Sequence, residues 1–322
     1  MANNEDARWL AAAASLAERA RPLSRPNPAV GAIIVQGGVV VGRGWTQPGG
    51  RPHAEAEALR QAGEAARGAT LYVTLEPCAH RSDRGPACAD LVAASGVARV
   101  VAGIVDDDPR TGGAGLARLR AAGIAAECAD DAACRESLAG HVLRRAEGRP
   151  HVTLKLATSL DGAIALASGE SRWITGPEAR AHAHRERARV DAILVGGGTL
   201  RADDPMLDVR LPGLEARGPD RWVLTHGAAP TGWNTMAEPE AIRSAAMADV
   251  QYLLVEGGAR AAAAFLRAGL VDRLLLYRAP ILIGGGLPAL GDIGLATLGD
   301  AHGCWRLADS RRLGHDTLEI YR

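Results

Sequence analysis

Short apolar runs recur along this chain, separated by alanine- and leucine-rich stretches of helical period. Residues 30–35, 70–75 and 100–105 read as strands, and residues 53–66, 116–122 and 130–145 read as helices. Apolar runs that alternate with helices imply a largely parallel sheet covered on both sides. Residues 5–20 add an amphipathic helix with Trp9, Leu10, Ala13, Leu16 and Ala17 on one side, ended by Pro22, Pro26 and Pro28. Residues 30–35 and 39–41, joined by Gln36-Gly-Gly38, carry a hairpin signal. A chain of 322 residues is long enough for two domains, each with its own core.

Charge and cysteine usage narrow the function classes. Lys+Arg and Asp+Glu are equal at 37 each, which argues against a nucleic-acid binder driven by general electrostatics. No apolar run is long enough for a membrane span, and residues 1–6 are polar, unlike a signal peptide. Five cysteines, an odd number without regular spacing, suit a reducing cytoplasm with metal-ligand thiols better than a disulfide framework. Cys128, Cys134 and Cys304 have no motif around them. Lys155 is the only lysine in the chain, every other strongly cationic position being Arg. A compact ammonium is what Arg's planar fork cannot mimic.

One constellation carries chemistry. Arg51-Pro-His-Ala-Glu55 is followed by Glu76-Pro-Cys78 and then by Cys88. Singly, His53 could cap a helix, and the thiols could be small buried hydrophobes. Together, one imidazole and two thiolates give Zn²⁺ three ligands and leave a tetrahedral position open for water, whose pKa falls toward neutrality. Glu55, two residues beyond His53, is expected to carry protons and not to bind the metal. His-x-Glu followed by Pro-Cys is the signature of zinc deaminases. Both ligand segments are expected at strand-to-helix junctions, where free N–H groups favour thiolate. Asn27 stands between two prolines just before the first strand. Its amide offers donor and acceptor to a pyrimidinone edge.

Pro26-Asn-Pro-Ala-Val-Gly31, His53-Ala-Glu55 and Thr74-Leu-Glu-Pro-Cys-Ala-His80 resemble the deaminase half of the bifunctional riboflavin-biosynthesis deaminase/reductase family. Two departures stand out. Nine residues separate Cys78 from Cys88, one more than that family's pattern, and Thr46 replaces its His. Residues 146–150 read as a linker. Beyond it, His151-Val-Thr-Leu-Lys-Leu-Ala157, Gly169-Glu-Ser-Arg-Trp-Ile-Thr175, Gly196-Gly-Gly-Thr199, Ala202-Asp-Asp-Pro-Met-Leu207 and Leu254-Val-Glu-Gly-Gly258 resemble the reductase half. Glycine turns after the apolar run at 191–195 and after Val255-Glu256 allow close approach of a phosphate, and the helix expected at 259–268 places its N-terminus there. No Gly-x-Gly-x-x-Gly follows a first strand, which disfavours a Rossmann domain.

The resemblance implies an N-terminal cytidine-deaminase-like three-layer α/β/α domain over residues 1–146 and a dihydrofolate-reductase-like α/β domain over residues 150–322. It implies zinc on His53, Cys78 and Cys88, with Glu55 catalytic and Asn27 and His80 facing substrate. It further implies NADPH against Ala157, Trp173, Thr199, Asp203 and Gly258, and substrate against Lys155, Ser171, Arg187, Leu207, Arg210 and Glu256. Arg187 and Arg210 suit a ribose phosphate, which calls for charge-assisted bidentate donors. The implied reaction deaminates a diaminopyrimidinone bearing a phosphoribosylamino group and then reduces its ribosyl chain to ribityl. A cytoplasmic homo-oligomer, dimer or tetramer, with a small-molecule substrate and no nucleic-acid or membrane partner is expected. Residues 211–253 are shorter than the family's stretch. They are expected to hold one strand, residues 221–225, in otherwise irregular chain, and Thr225 stands where the family has Asp. A second reading is therefore a deaminase of another base whose reductase-like half is inactive.

Overall fold

The computed structural model describes residues 4–81, 84–108 and 112–322. The chain forms two compact units, Met1–Gly148 and Arg149–Arg322.

The first unit runs α1 (Asn4–Ala17), β1 (Gly31–Gln36), β2 (Val39–Trp45), α2 (Ala54–Ala62), β3 (Thr70–Leu75), α3 (Cys88–Ala94), β4 (Arg99–Ile104), α4 (Ala114–Ala121), β5 (Ala125–Cys128), α5 (Ala132–Ser137) and α6 (Ala139–Glu147). Its sheet has the order β2-β1-β3-β4-β5. The β1–β2 and β1–β3 pairings are antiparallel, and β3–β4 and β4–β5 are parallel. The expected largely parallel sheet is thus corrected to a mixed one, because the hairpin turn at Gly37 and Gly38, both at positive φ, returns β2 directly beside β1. α1 and α5 pack together on the sheet, while α2, α3 and α4 form a second group, which gives the three layers. The single helix expected over 130–145 is broken at Leu138, which leaves helical geometry and sits in the core at 1% exposure. Ser82 and Asp83 of the cysteine loop, and Pro109, lie outside the described residues.

Two glycines explain how closely α2 lies on the sheet. A Cβ at Gly42 would stand 2.3 Å from the Ala58 carbonyl oxygen, and one at Gly44 would stand 2.2 Å from that of Ala54. Any larger residue there would lift the helix whose N-terminus begins the metal motif. On the other side of β3, Tyr72 donates to the buried Asp6 at 2.9 Å, and Arg99 grips the same carboxylate through two bonds of 2.8 Å.

The second unit runs β6 (His151–Thr158), β7 (Ala163–Ala165), α7 (Pro177–Arg187), β8 (Ala192–Gly196), α8 (Gly197–Asp203), β9 (Asp220–Leu224), β10 (Asn234–Met236), β11 (Tyr252–Val255), α9 (Ala259–Arg267), β12 (Arg273–Arg278), β13 (Leu287–Pro288), β14 (Leu307–Leu313) and β15 (Asp316–Tyr321). Its main sheet has the order β10-β9-β8-β11-β6-β12-β15-β14, parallel from β10 to β12 and antiparallel beyond. The segment read as irregular after Thr225 contains β10, whose Met236 packs in the core. The expected linker also shrinks, since α6 continues to Glu147 and Gly148 closes it in the left-handed conformation. Arg149 is already buried, holding Asp272 through bonds of 2.7 and 2.9 Å. No helix among the described residues is long and apolar enough to cross a membrane.

Candidate active sites

In the first unit, three sequence-distant residues converge. His53 is the N-cap of α2, Cys88 opens α3, and Cys78 follows β3 after the Glu76-Pro77 step. The His53 Nδ1 lies 3.2 Å from Cys88 Sγ and 3.7 Å from Cys78 Sγ, and all three ligand atoms fall within 4.8 Å of one another. Donors bonded to tetrahedral zinc at about 2.0 Å for nitrogen and 2.3 Å for sulfur stand about 3.5 to 3.8 Å apart. The donor set and its spacing therefore fit that ion. The backbone N–H of Cys88 donates to Cys78 Sγ at 3.3 Å, so the start of α3 does favour thiolate.

The three side chains shift one another's proton affinities. A hydrogen bond from Cys88 is the largest influence drawing the Cys78 pKa down to about 4, and that contact, with burial, pushes the Cys88 thiol up. Burial works against charge on His53, yet the Cys78 and Glu55 charges carry its pKa above the usual histidine value. Glu55 is the second residue of α2, 3% exposed, and burial raises its carboxyl pKa. No arginine or lysine is among the main influences on it.

Glu76 holds this geometry in place, a role the sequence reading did not assign. Its carboxylate accepts the backbone N–H groups of Gly113 at 2.9 Å and Leu116 at 3.0 Å. It thereby supplies the cap that Gly113, at the start of α4, lacks. A Cβ at Gly115 would stand 1.9 Å from the Pro77 carbonyl oxygen, so α4 rests directly on the backbone that delivers Cys78.

The expected substrate residues surround the motif loop. Asn27 packs against Gly50, where a Cβ would stand 1.8 Å from its Nδ2. Thr46 is buried and latches the Asn27 segment: its hydroxyl donates to the Pro28 carbonyl and accepts the Val30 N–H, both at 3.0 Å. Arg84 of the lengthened cysteine loop donates to the Gly49 carbonyl at 2.7 Å. His80 is half-buried two residues beyond Cys78.

In the second unit a cleft of about 1630 Å³ opens at the carboxyl ends of the parallel strands. All eleven residues expected there line it: Lys155, Ala157, Ser171, Trp173, Arg187, Thr199, Asp203, Leu207, Arg210, Glu256 and Gly258. The two glycine junctions abut, with the Gly258 N–H donating to Thr199 Oγ1 at 3.0 Å. Gly197 and Gly198, expected as a turn, instead form the first residues of α8. Leu207 sits in the core at positive φ, so its backbone is what it offers the cleft.

One ion-pair cluster organises the floor of this cleft. Arg187 forks onto Glu256 through bonds of 2.7 and 2.9 Å and also donates to the Asp208 carbonyl. Lys155 Nζ stands 3.7 Å from the same carboxylate. Burial opposes the Glu256 charge, but Arg187, ahead of Lys155, draws its pKa down to about 2. The Arg187 fork is thus committed to protein, whereas Arg210, held only by nearby Asp208, is exposed.

A His/Cys/Cys triangle with a buried carboxylate beside it defines a zinc-dependent deaminase site, and the second unit adds a strand-end cleft with two glycine junctions. Residues 3–104 match the cytidine and deoxycytidylate deaminase zinc-binding region, and residues 150–318 match the RibD C-terminal domain. The riboflavin biosynthesis protein RibD of Escherichia coli is 38% identical over 97% of this chain and 98% of its own. The solved structure of Acinetobacter baumannii RibD, form 1, superposes with a TM-score of 0.85 at 33% identity, covering 98% of each chain. A diaminohydroxyphosphoribosylaminopyrimidine deaminase/5-amino-6-(5-phosphoribosylamino)uracil reductase from Thermotoga maritima gives 0.82 at 28% identity, again over 98% of each chain. The chain belongs to the RibD family.

Proposed function

We propose that the first unit deaminates the diaminopyrimidinone carrying a phosphoribosylamino group and that the second reduces the ribosyl chain of the product to ribityl with NADPH. The observation that carries this reading is the presence, in one chain, of the His53/Cys78/Cys88 triangle beside buried Glu55 and of a cleft gathering every expected reductase residue. Zinc held by His53, Cys78 and Cys88 supplies the Lewis acidity that brings a water's pKa toward neutrality. Glu55 would take that water's proton as its oxygen bonds to the ring carbon bearing the amino group, and return it to that amino group as the C–N bond breaks, so ammonia leaves. Burial raises its pKa, which favours holding that proton in transit. Asn27, aimed by its packing on Gly50, and His80 face the pyrimidinone.

NADPH, when bound, supplies the hydride. Lys155, held by Glu256, presents the chain's one ammonium toward the ribosyl group. Arg210 is the donor open to the phosphate, and Arg187 acts through Glu256 by fixing Lys155. Ser171 and the Leu207 backbone complete the substrate wall, with Ala157, Trp173, Thr199, Asp203 and Gly258 toward the cofactor. The intact cleft favours an active reductase over the reading in which that half is inactive.

All five cysteines are free, which supports a cytoplasmic setting. A homo-oligomer is proposed with it, and edge strand β14 leaves one side unpaired for such contact. Light scattering tests that part. The functional test follows ammonia release and NADPH oxidation separately on the diamino substrate. Ammonia without NADPH oxidation would remove the reductase assignment, and neither signal would remove both.

A further inference from the structure

Seven arginines and lysines line or floor the reductase cleft, and most are already engaged. Arg187 and Lys155 attend Glu256, Arg210 pairs with Asp208, Arg172 donates to the Asp203 carbonyl, and Arg180 donates to the Thr175 carbonyl. Arg201 and Arg260 also line the cleft, yet neither makes a hydrogen bond or ion pair among the described residues. Sheet order says where they stand. The cleft crosses the carboxyl ends of β6, β11, β8 and β9 in that spatial order. Lys155 marks β6, the abutting glycine junctions follow β11 and β8, and Thr225 follows β9. From β6 to β9 is three strand spacings, about 14 Å. A dinucleotide with its reactive ring at Lys155 and its pyrophosphate at the glycines thus extends its adenosine end over β9.

Arg201 is at that end. From the position of a Cβ on Gly197, its Nη1 is 3.2 Å away and the Thr225 Oγ1 is 3.1 Å away, so the guanidinium and the hydroxyl are neighbours. Thr225 accepts the Gly227 N–H at 3.0 Å and has its own hydroxyl proton left to donate. Arg260, in the first turn of α9, also lines the cleft, and Ala261 of the same turn lies against Gly196 and Gly257. Exposed His226 follows Thr225 on the same wall. Carboxylates Asp203 and Asp204 share the cleft, but neither pairs with Arg201.

We propose that Arg201, Arg260 and the Thr225 hydroxyl bind the 2′-phosphate on the adenosine ribose of NADPH and thereby select it over NADH. This rests on the NADPH-dependent reductase reading. A carboxylate reads a free ribose 2′-hydroxyl, whereas arginine accommodates a 2′-phosphate, and here the strand end carries a neutral hydroxyl beside unpaired guanidinium groups. The remaining cationic groups of the cleft are each engaged by a carboxylate or a backbone carbonyl, so the unpaired charge is concentrated in these two residues.

The test uses the full-length zinc-loaded protein and its Arg201→Ala and Arg260→Ala variants. Binding of adenosine 2′,5′-bisphosphate and of adenosine 5′-monophosphate is measured by calorimetry, alongside turnover of deaminated substrate with NADPH and with NADH. Each variant is expected to weaken the bisphosphate and raise the KM for NADPH by about 10- to 100-fold, as loss of one charge-assisted bond implies. Binding of the monophosphate and turnover with NADH should stay within about twofold, which also shows the variants are folded. Arg201→Lys and Arg260→Lys should recover part of the loss. Equal losses with both cofactors, or no loss in either variant, would overturn the assignment while leaving the reductase reading standing. If the wild-type chain turns over neither cofactor, the reductase reading falls and this assignment with it.

Discussion

Glu256→Gln offers the most direct test of how the reductase cleft is built. The substitution keeps the shape of the side chain and removes its charge. The Glu256 side chain is 7% exposed against Arg187 and Lys155, and its pKa drops from an ordinary 4.5 to about 2. At about 1.4 kcal/mol per pH unit, this depression corresponds to about 3 kcal/mol of folding free energy at neutral pH. The sign follows from the lowered pKa. The contribution is complete above pH 4.5 and is lost as pH falls through the folded value near 2. Breaking a buried pair from one side leaves the Arg187 charge uncompensated, for which about 3 to 5 kcal/mol is typical, so the two routes agree. Hydrogen exchange read by mass spectrometry on peptides spanning α7 and β11 isolates this unit from the rest of the chain. The variant should lower their opening free energy by about 3 kcal/mol at pH 7, with the gap narrowing as pH falls below 4.5. A gap below about 1 kcal/mol at pH 7, or one that does not change with pH, would refute the claim that this carboxylate is held ionised by Arg187.

Other outcomes follow from the first unit. Glu55→Gln should keep one zinc per chain by elemental analysis, yet release ammonia about 10² to 10⁴ times more slowly; near-normal turnover would remove Glu55 from the proton transfer. Glu76→Ala strands the Gly113 and Leu116 amides and should destabilise the unit by about 1 to 3 kcal/mol while lowering zinc retention after dialysis. Unchanged retention would show that Cys78 is positioned without it. Gly44→Val drives a side chain into the Ala54 carbonyl and should displace His53, so zinc content at purification should fall well below one per chain. Full occupancy would mean that α2 can shift without disturbing the metal motif.

Local chemistry was legible in the sequence, and long-range partnership was not. The metal ligands could be read because residue type and order already limit what His53, Cys78 and Cys88 can do together. Strands and helices followed the apolar period, with errors where tertiary contact prevailed. Leu138 turned into the core and split a helix, and three residues of β10 became a strand only because β9 was there to pair with them. Several acidic residues had no readable role, since their partners are remote. Asp161 holds the backbone at Ile283 and Gly284, Asp191 holds that at Gln251 and Tyr252, and Asp272 holds Arg149. Arg187 was read as a phosphate donor because its type suits one. Nothing adjacent in the chain could disclose that Glu256, 69 residues away, occupies its fork.

Three glutamates show how surroundings, more than residue type, divide the work in this chain. The carboxyls of Glu55 and Glu256 are withdrawn from water, which by itself favours the neutral acid. Glu76 is answered by backbone amides, dipoles that hold it in place and bind α4 to the Cys78 segment. Glu256 is answered by a full guanidinium and an ammonium, so it stays ionised throughout the neutral range and can neither donate nor readily take a proton. That excludes it as the acid of the reduction and leaves it as the fixed charge that orients Lys155. Glu55 has no cationic side chain of this kind from Arg or Lys among its main influences, only His53 and the thiols of the ligand triangle, and its pKa rises. Burial thus biases its carboxyl toward holding a proton, and it stands where the hydrolysis needs one moved. Supplying Glu55 with an arginine partner would therefore be expected to silence the deaminase more thoroughly than loosening its packing, because the proton it must accept would no longer stay on it.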